Sequence, residues 1–113
     1  MTSEPVCLTL IAARRFREEL FDYLNEQRDL VSAFTASDGA GHGPAARLPT
    51  TAEQVKGHAD EVLIRTVLDK QDAARLLARL KTAFAGTRLA YWIMPVMEWG
   101  VIDDDPCNAE IPG

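Results

Sequence analysis

The sequence predicts an α+β fold in the order β-α-β-β-α-β, and three observations carry it. Short runs alternate apolar and polar residues with the period of strands, and two longer runs carry apolar stripes at helical spacing. Between the first half and the second lies a polar, glycine-rich stretch from Ser37 to Asp60 that fits neither period.

The run Val6 to Ile11 reads as a first strand, with Val6, Leu8 and Leu10 on one face and Cys7 and Thr9 on the other. Phe16, Leu20, Tyr23 and Leu24 then form one stripe of an amphipathic helix expected to end near Arg28 or Asp29. Glu18 and Glu19 sit in its early turns, where negative charge complements the helix dipole. Leu30 to Ala36 is rich enough in β-formers for a second strand, and Asp60 to Leu68 resumes alternation as a third. Asp69 is the expected N-cap of a second helix, with Ala73, Leu77, Leu80 and Phe84 as its buried stripe and Gly86 as its C′ residue. Arg88 to Met94 makes a fourth strand. Pro95 limits further ladder pairing, so Val96 to Ile102 reads as a short extra edge strand or an extended arm. After it, residues 103–113 read as an acidic flexible tail. The whole is a ferredoxin-like, split βαβ sandwich formed by a single domain over residues 1–102.

One face of the predicted sheet collects Cys7, Thr9, Leu63, Val67, Trp92 and Met94. That is too apolar a set to face water, so other subunits are expected to cover it.

Composition narrows the function classes. The chain has 113 residues, 26% charged and 47% hydrophobic, with a formal charge of −5. That balance argues against a nucleic-acid partner, which selects a basic face. No stretch approaches the length of a membrane span. The apolar run from Val6 to Ala13 is followed by Arg14 and Arg15, the reverse of a secretory signal, so a cytoplasmic location is expected. Cys7 and Cys107 make no disulfide framework. No nucleophile stands beside a base and no cofactor fingerprint occurs, so enzymatic activity has no support.

The central polar stretch, Asp38 to Ala59, is the best place to look for function, because long irregular segments in small domains are usually functional. Gly39, Gly41 and Gly43 suit backbone anion contacts, although the spacing matches no P-loop and flexibility alone explains glycines there. His42 and His58 bracket the stretch and suit a transition metal with Asp38 or Asp60; their spacing matches no zinc motif, and exposed loop histidines are the simpler reading. Cys7, Met94, Met97 and Cys107 are soft sulfur ligands whose ordinary role in strands is packing. Lys56, Arg65 and Arg88 are candidates to line an anionic-ligand cleft, with Lys56 the best placed. An arginine in a strand more often serves an interface ion pair. Trp92 and Trp99 read as subunit-contact residues rather than stacking platforms.

The strand order, the long segment between strands two and three, and the sheet face needing cover resemble the PII-like superfamily of trimeric signalling proteins, whose segment in this position is the T-loop. Gly41-His42-Gly43, Glu53-Gln54-Val55-Lys56-Gly57 and Tyr91-Trp92-Ile93-Met94-Pro95-Val96 resemble a branch of it that carries a domain of unknown function. That branch is often encoded beside heavy-metal efflux pumps of the resistance-nodulation-division type. The resemblance implies a homotrimer with a ligand, commonly an adenine nucleotide, in the cleft between subunits at the loop's base. It also implies a membrane efflux transporter as partner. By position the ligand residues are Gly39, Gly41, His42 and Gly43 at the loop's start and Gln54, Lys56 and Gly57 at its end. Where nucleotide-binding members carry basic residues after the last strand, this chain carries Glu98 and Asp103 to Asp105, which argues against a triphosphate. Two alternatives stand beside this reading. One is a cytosolic transition-metal sensor or chaperone resembling the divalent-ion tolerance proteins. The other, ranked lower, is an acylphosphatase-like enzyme using Arg14 or Arg15.

Overall fold

The computed structural model describes residues 4–43 and 51–103. Its elements are β1 (Pro5–Ala13), a 3₁₀ turn (Arg14–Phe16), α1 (Arg17–Glu26), β2 (Thr35–Gly41), α2 (Thr51–Lys56), β3 (Ala59–Asp69), α3 (Lys70–Ala83) and β4 (Ala90–Pro95). The four strands form one antiparallel sheet in the order β2-β3-β1-β4. The ferredoxin-like β-α-β-β-α-β order is therefore present, with a short additional helix inside the central stretch.

The core lies between the sheet and α1 and α3. Alternation puts Val6, Leu8 and Leu10 of β1 and Val62, Ile64 and Leu68 of β3 on the helix side, where they meet Leu20, Leu24, Ala73, Leu76 and Leu80. Asp69 caps α3 as expected, its side chain accepting from the Gln71 backbone N–H at 3.1 Å. The expected stripe shifts slightly: Leu76 is fully buried, while Leu77 is only partly so. Gly86 lies two residues past the C-cap Phe84, one place later than the expected C′ position, and its φ of +82° is the left-handed geometry that reverses the chain there.

Three expected boundaries are corrected. α1 ends at Glu26, because the backbone N–H groups of Leu30 and Val31 turn back onto the Gln27 carbonyl. The second strand is Thr35–Gly41, not Leu30 to Ala36. Leu30 and Val31 are buried, but as irregular chain packed into the core below α1 rather than as a ladder. The stretch expected to be loop from Asp38 to Ala59 begins with the last residues of β2, contains α2, and ends on the first residue of β3.

Past β4 the ladder continues for one hydrogen bond, from the Val96 N–H to the Pro5 carbonyl at 3.1 Å. The remainder to Ile102 is an exposed arm rather than a strand. The acidic tail beyond Asp103, including Cys107, lies outside the described residues. The sheet face opposite the helices is open in the single chain. Thr9 is buried there between its register neighbours Arg65 and Trp92, while Cys7, Leu63 and Val67 are half-buried and Trp92 and Met94 are exposed.

Candidate functional site

A cleft of about 590 Å³ opens where the end of β1, the end of β2, α2, the start of β3 and the entry to β4 meet. Small side chains make the room: Ala12 and Ala13 from β1, Gly41 from β2, Ala59 from β3 and Ala90 from β4 line it. The Glu61 carboxylate lies over Gly41, where a Cβ would stand 2.5–2.8 Å from it, so a larger residue there would push the carboxylate aside. His42, Glu53, Asp60 and Glu61 add polar groups, and Arg15 and Arg88 bring two guanidinium groups.

The charges around the cleft are not equally available. Glu53 is buried, and its carboxylate accepts a hydrogen bond from the Asp60 backbone N–H at 2.6 Å. The Asp60 carboxylate lies 3.6 Å from His58 Nε2 and 3.9 Å from Arg14. Asp38 is held by Arg14 at 3.6 Å and Arg17 at 3.9 Å. Arg14 Nε is itself buried without a hydrogen bond, so its contact with Asp38 is an ion pair only. Arg15 stacks its guanidinium on the Phe16 ring, 4.8 Å from the centroid, and has no carboxylate partner among the described residues. Arg88 has none among them either. It sits in the left-handed region, φ 63°, at the turn into β4.

The sequence-predicted residues divide. Gly41 and His42 line the cleft. Gly39 lies within β2 opposite Glu61, where a Cβ would meet Leu63 Cδ1 at 2.6 Å. Gly43 follows β2 with φ +104°, and Gly57 joins α2 to β3 with φ +80°. Gln54 is exposed on α2, and Lys56 is the last residue of that helix. His42 and His58 continue the β2–β3 register by one position, and their rings stand 5.5 Å apart at 47°. Asp38, expected beside them, faces Arg14 and Arg17 instead. Among the described residues no three His, Cys, Asp or Glu side chains are grouped to hold a metal ion. Arg65, the third candidate for an anionic cleft, lies on the open sheet face opposite Thr9 and Thr35, away from it. Glu53 and Thr87 were not among the expected site residues. A glutamate on a short polar helix carries no sequence sign of burial.

Residues 2–103 match the family described as protein of unknown function (DUF3240). The chain belongs to the DUF3240 family. Solved structures similar to this DUF3240 chain extend the comparison. A DUF3240 family protein from Shewanella baltica OS155 superposes with a TM-score of 0.69 at 20% identity, covering 91% of this chain and 100% of that one. CPII, a nitrogen regulatory PII-like protein from Thiomonas intermedia K12 solved with ADP, AMP and bicarbonate, gives 0.63 at 15% identity, covering 87% and 97%. A PII-like signalling protein from Thermus thermophilus gives 0.58 at 17% identity, covering 85% and 91%. Identities this low speak to the fold, which is PII-like. A search of curated proteins found no match. Among the described residues of the DUF3240 chain, no helix is long and apolar enough to cross a membrane.

Proposed function

We propose that this protein is a PII-like regulator in which a small anionic effector occupies the cleft and sets the state of the segment between β2 and β3. One observation carries the reading: the cleft is built jointly by fixed sheet residues and by the two ends of that segment. A ligand on Arg15 and Arg88 would therefore also touch His42 and the wall formed by Glu53 of α2. It can bias the segment only through its different affinity for the segment's states. Two guanidinium groups favour a phosphate or carboxylate, and the Glu61 carboxylate favours a hydrogen-bond donor on the same ligand. Adenine mono- or diphosphate and bicarbonate fit that description and accompany the CPII structure. The acidic Glu98 and Asp103 disfavour a triphosphate.

In this reading the protein is a cytoplasmic homotrimer without catalytic activity. Its half-buried sheet face is covered by neighbouring subunits, and its segment from Asp38 to Ala59 engages a membrane transporter of heavy-metal efflux. Of the loop-base residues, Gly41 and His42 would meet the ligand directly, while Gly39, Gly43, Gln54, Lys56 and Gly57 belong to the segment whose state the ligand would set. Calorimetric titration with ADP, AMP, ATP and bicarbonate tests the effector, on the native chain and on Arg15→Ala and Arg88→Ala. Binding of at least one anion that weakens in both variants is expected. Absence of heat with all four removes the reading.

The His42–His58 ring pair favours a second reading, a transition-metal sensor in which two imidazoles hold one ion and the remaining ligands come from solvent or another subunit. Titration with zinc, copper and nickel on the native chain, His42→Ala and His58→Ala decides it. Identical isotherms in all three proteins exclude the pair.

A further inference from the structure

α3 packs over β1 and β3, and the edge strand β4 stays exposed along its whole length. A groove of about 250 Å³ is left between the helix and that edge, with Leu77, Leu80, Phe84 and Tyr91 along it. Tyr91 pairs in register with the buried Leu10, so its ring points to the helix side and not to the open sheet face. Leu80 and Phe84 are buried, Leu77 is half-buried and Tyr91 is exposed. The apolar lining therefore runs from the core out to solvent.

The mouth of this groove is basic. Lys81 holds its ammonium over the Tyr91 ring, 5.5 Å from the centroid, and Arg88 stands at the turn into β4. Neither has a carboxylate partner among the described residues. An apolar trough bordered by two cations selects a molecule with an apolar chain and an anionic head. Size narrows the choice. At the ~30 Å³ that a water-sized group takes up, the groove holds about eight such groups, which is one short chain.

We propose that this groove binds a monocarboxylate with an unbranched chain of about six to eight carbons, the chain on Leu77, Leu80 and Phe84 and the carboxylate at Lys81 and Arg88. Arg88 also lines the effector cleft, but Leu77 and Lys81 line the groove and not the cleft, and Arg15 lines the cleft and not the groove. The two sites can therefore be read apart. The proposal does not depend on which ligand, if any, the cleft takes.

Equilibrium dialysis of the native chain against butanoate, hexanoate, octanoate and decanoate tests it. Each buried methylene contributes up to about fourfold, so affinity should rise about three- to tenfold per two-carbon step as far as octanoate. It should level off at decanoate, whose chain outruns the groove. Octanamide, which has the chain without the charge, should bind several-fold more weakly than octanoate. Leu77→Trp, which fills the groove, should remove most of the octanoate binding, and Lys81→Glu should weaken it several-fold. Lys81 is exposed, so its reversal carries the test even where the tryptophan chain does not fold. Absence of octanoate binding overturns the proposal, as does affinity that ignores chain length or still climbs unchanged at decanoate. Binding that falls with Arg15→Ala and not with Lys81→Glu puts the carboxylate in the cleft and overturns the groove assignment. Unchanged octanoate binding in Leu77→Trp, together with altered sedimentation, makes the groove a contact between copies instead.

Discussion

The Glu53 carboxylate, buried on α2, accepts a 2.6 Å hydrogen bond from the backbone N–H of Asp60 at the start of β3. A helix of six residues has little stability of its own, and this bond fastens it to the sheet. It also takes Glu53 out of the cleft's chemistry, leaving the guanidinium groups to define what the cleft attracts. Hydrogen bonds to charged groups contribute about 1.5–3 kcal/mol. Glu53→Ala should therefore speed amide exchange at Asp60 by about ten- to a hundredfold, at ~1.4 kcal/mol per decade. Exchange in α3 should be little changed. Hydrogen exchange read by mass spectrometry checks both.

Asp29 and Arg79 form a two-pronged pair, with bonds of 3.1 and 2.9 Å, while Arg79 also donates to Gln27 at 2.7 Å. The hydrogen bonds from Arg79 hold the Asp29 carboxyl below its ordinary 3.8. Its stabilising effect is therefore complete above the unfolded-state value and is lost as pH falls through the depressed one. Asp29→Asn should lower the urea midpoint at pH 7, and the gap from the native chain should close in strong acid. A gap that stays constant from pH 7 to pH 2 contradicts the pairing.

Asp69 accepts from two backbone donors, Gln71 N–H in the first turn of α3 and Glu4 N–H before β1. It joins a helix start to a strand start. Asp69→Ala should cost about 1–2 kcal/mol in urea unfolding, the upper range for an N-cap. Leu76→Ala, a fully buried truncation on the same helix, should cost more, about 2–5 kcal/mol.

Arg88 holds a backbone conformation that favours glycine, with φ 63°. Relief of that strain and the larger unfolded-state entropy of glycine are both about 1 kcal/mol and oppose each other. Arg88→Gly should therefore leave stability within about 1 kcal/mol of the native chain while weakening the anion binding proposed for the cleft. Thermal unfolding and calorimetry on one sample separate the two effects.

Much of the fold was legible because its central elements bury one face. β1 and β3 alternate cleanly, α1 and α3 carry helical stripes, and Asp69 and Gly86 punctuate α3 as their chemistry requires. β2 was misplaced for a physical reason. Its residues, Thr-Ala-Ser-Asp-Gly-Ala-Gly, are exposed or nearly so on an edge strand, so burial left no periodic mark. Leu30 and Val31 are apolar because they plug the core beneath α1, which mimicked a strand. At the site, Gly41, His42 and Arg88 were visible as residue types. That His42 and His58 stand one register step beyond the β2–β3 ladder, and that Glu53 is consumed by a backbone bond, depends on pairing that no local pattern encodes.

The register of the two middle strands, Pro5 opposite Asp69 through Ala13 opposite Glu61, has a consequence for how this chain can be altered. β1 clasps β3 directly, and β2 pairs only with the outer side of β3. Doubling the length of a connection between two strands adds only about 0.6 kcal/mol of closure entropy. An engineer could therefore exchange the residues between His42 and Thr51 for a foreign peptide and keep the scaffold. The sequence of that connection can drift independently of the strands that keep the chain folded.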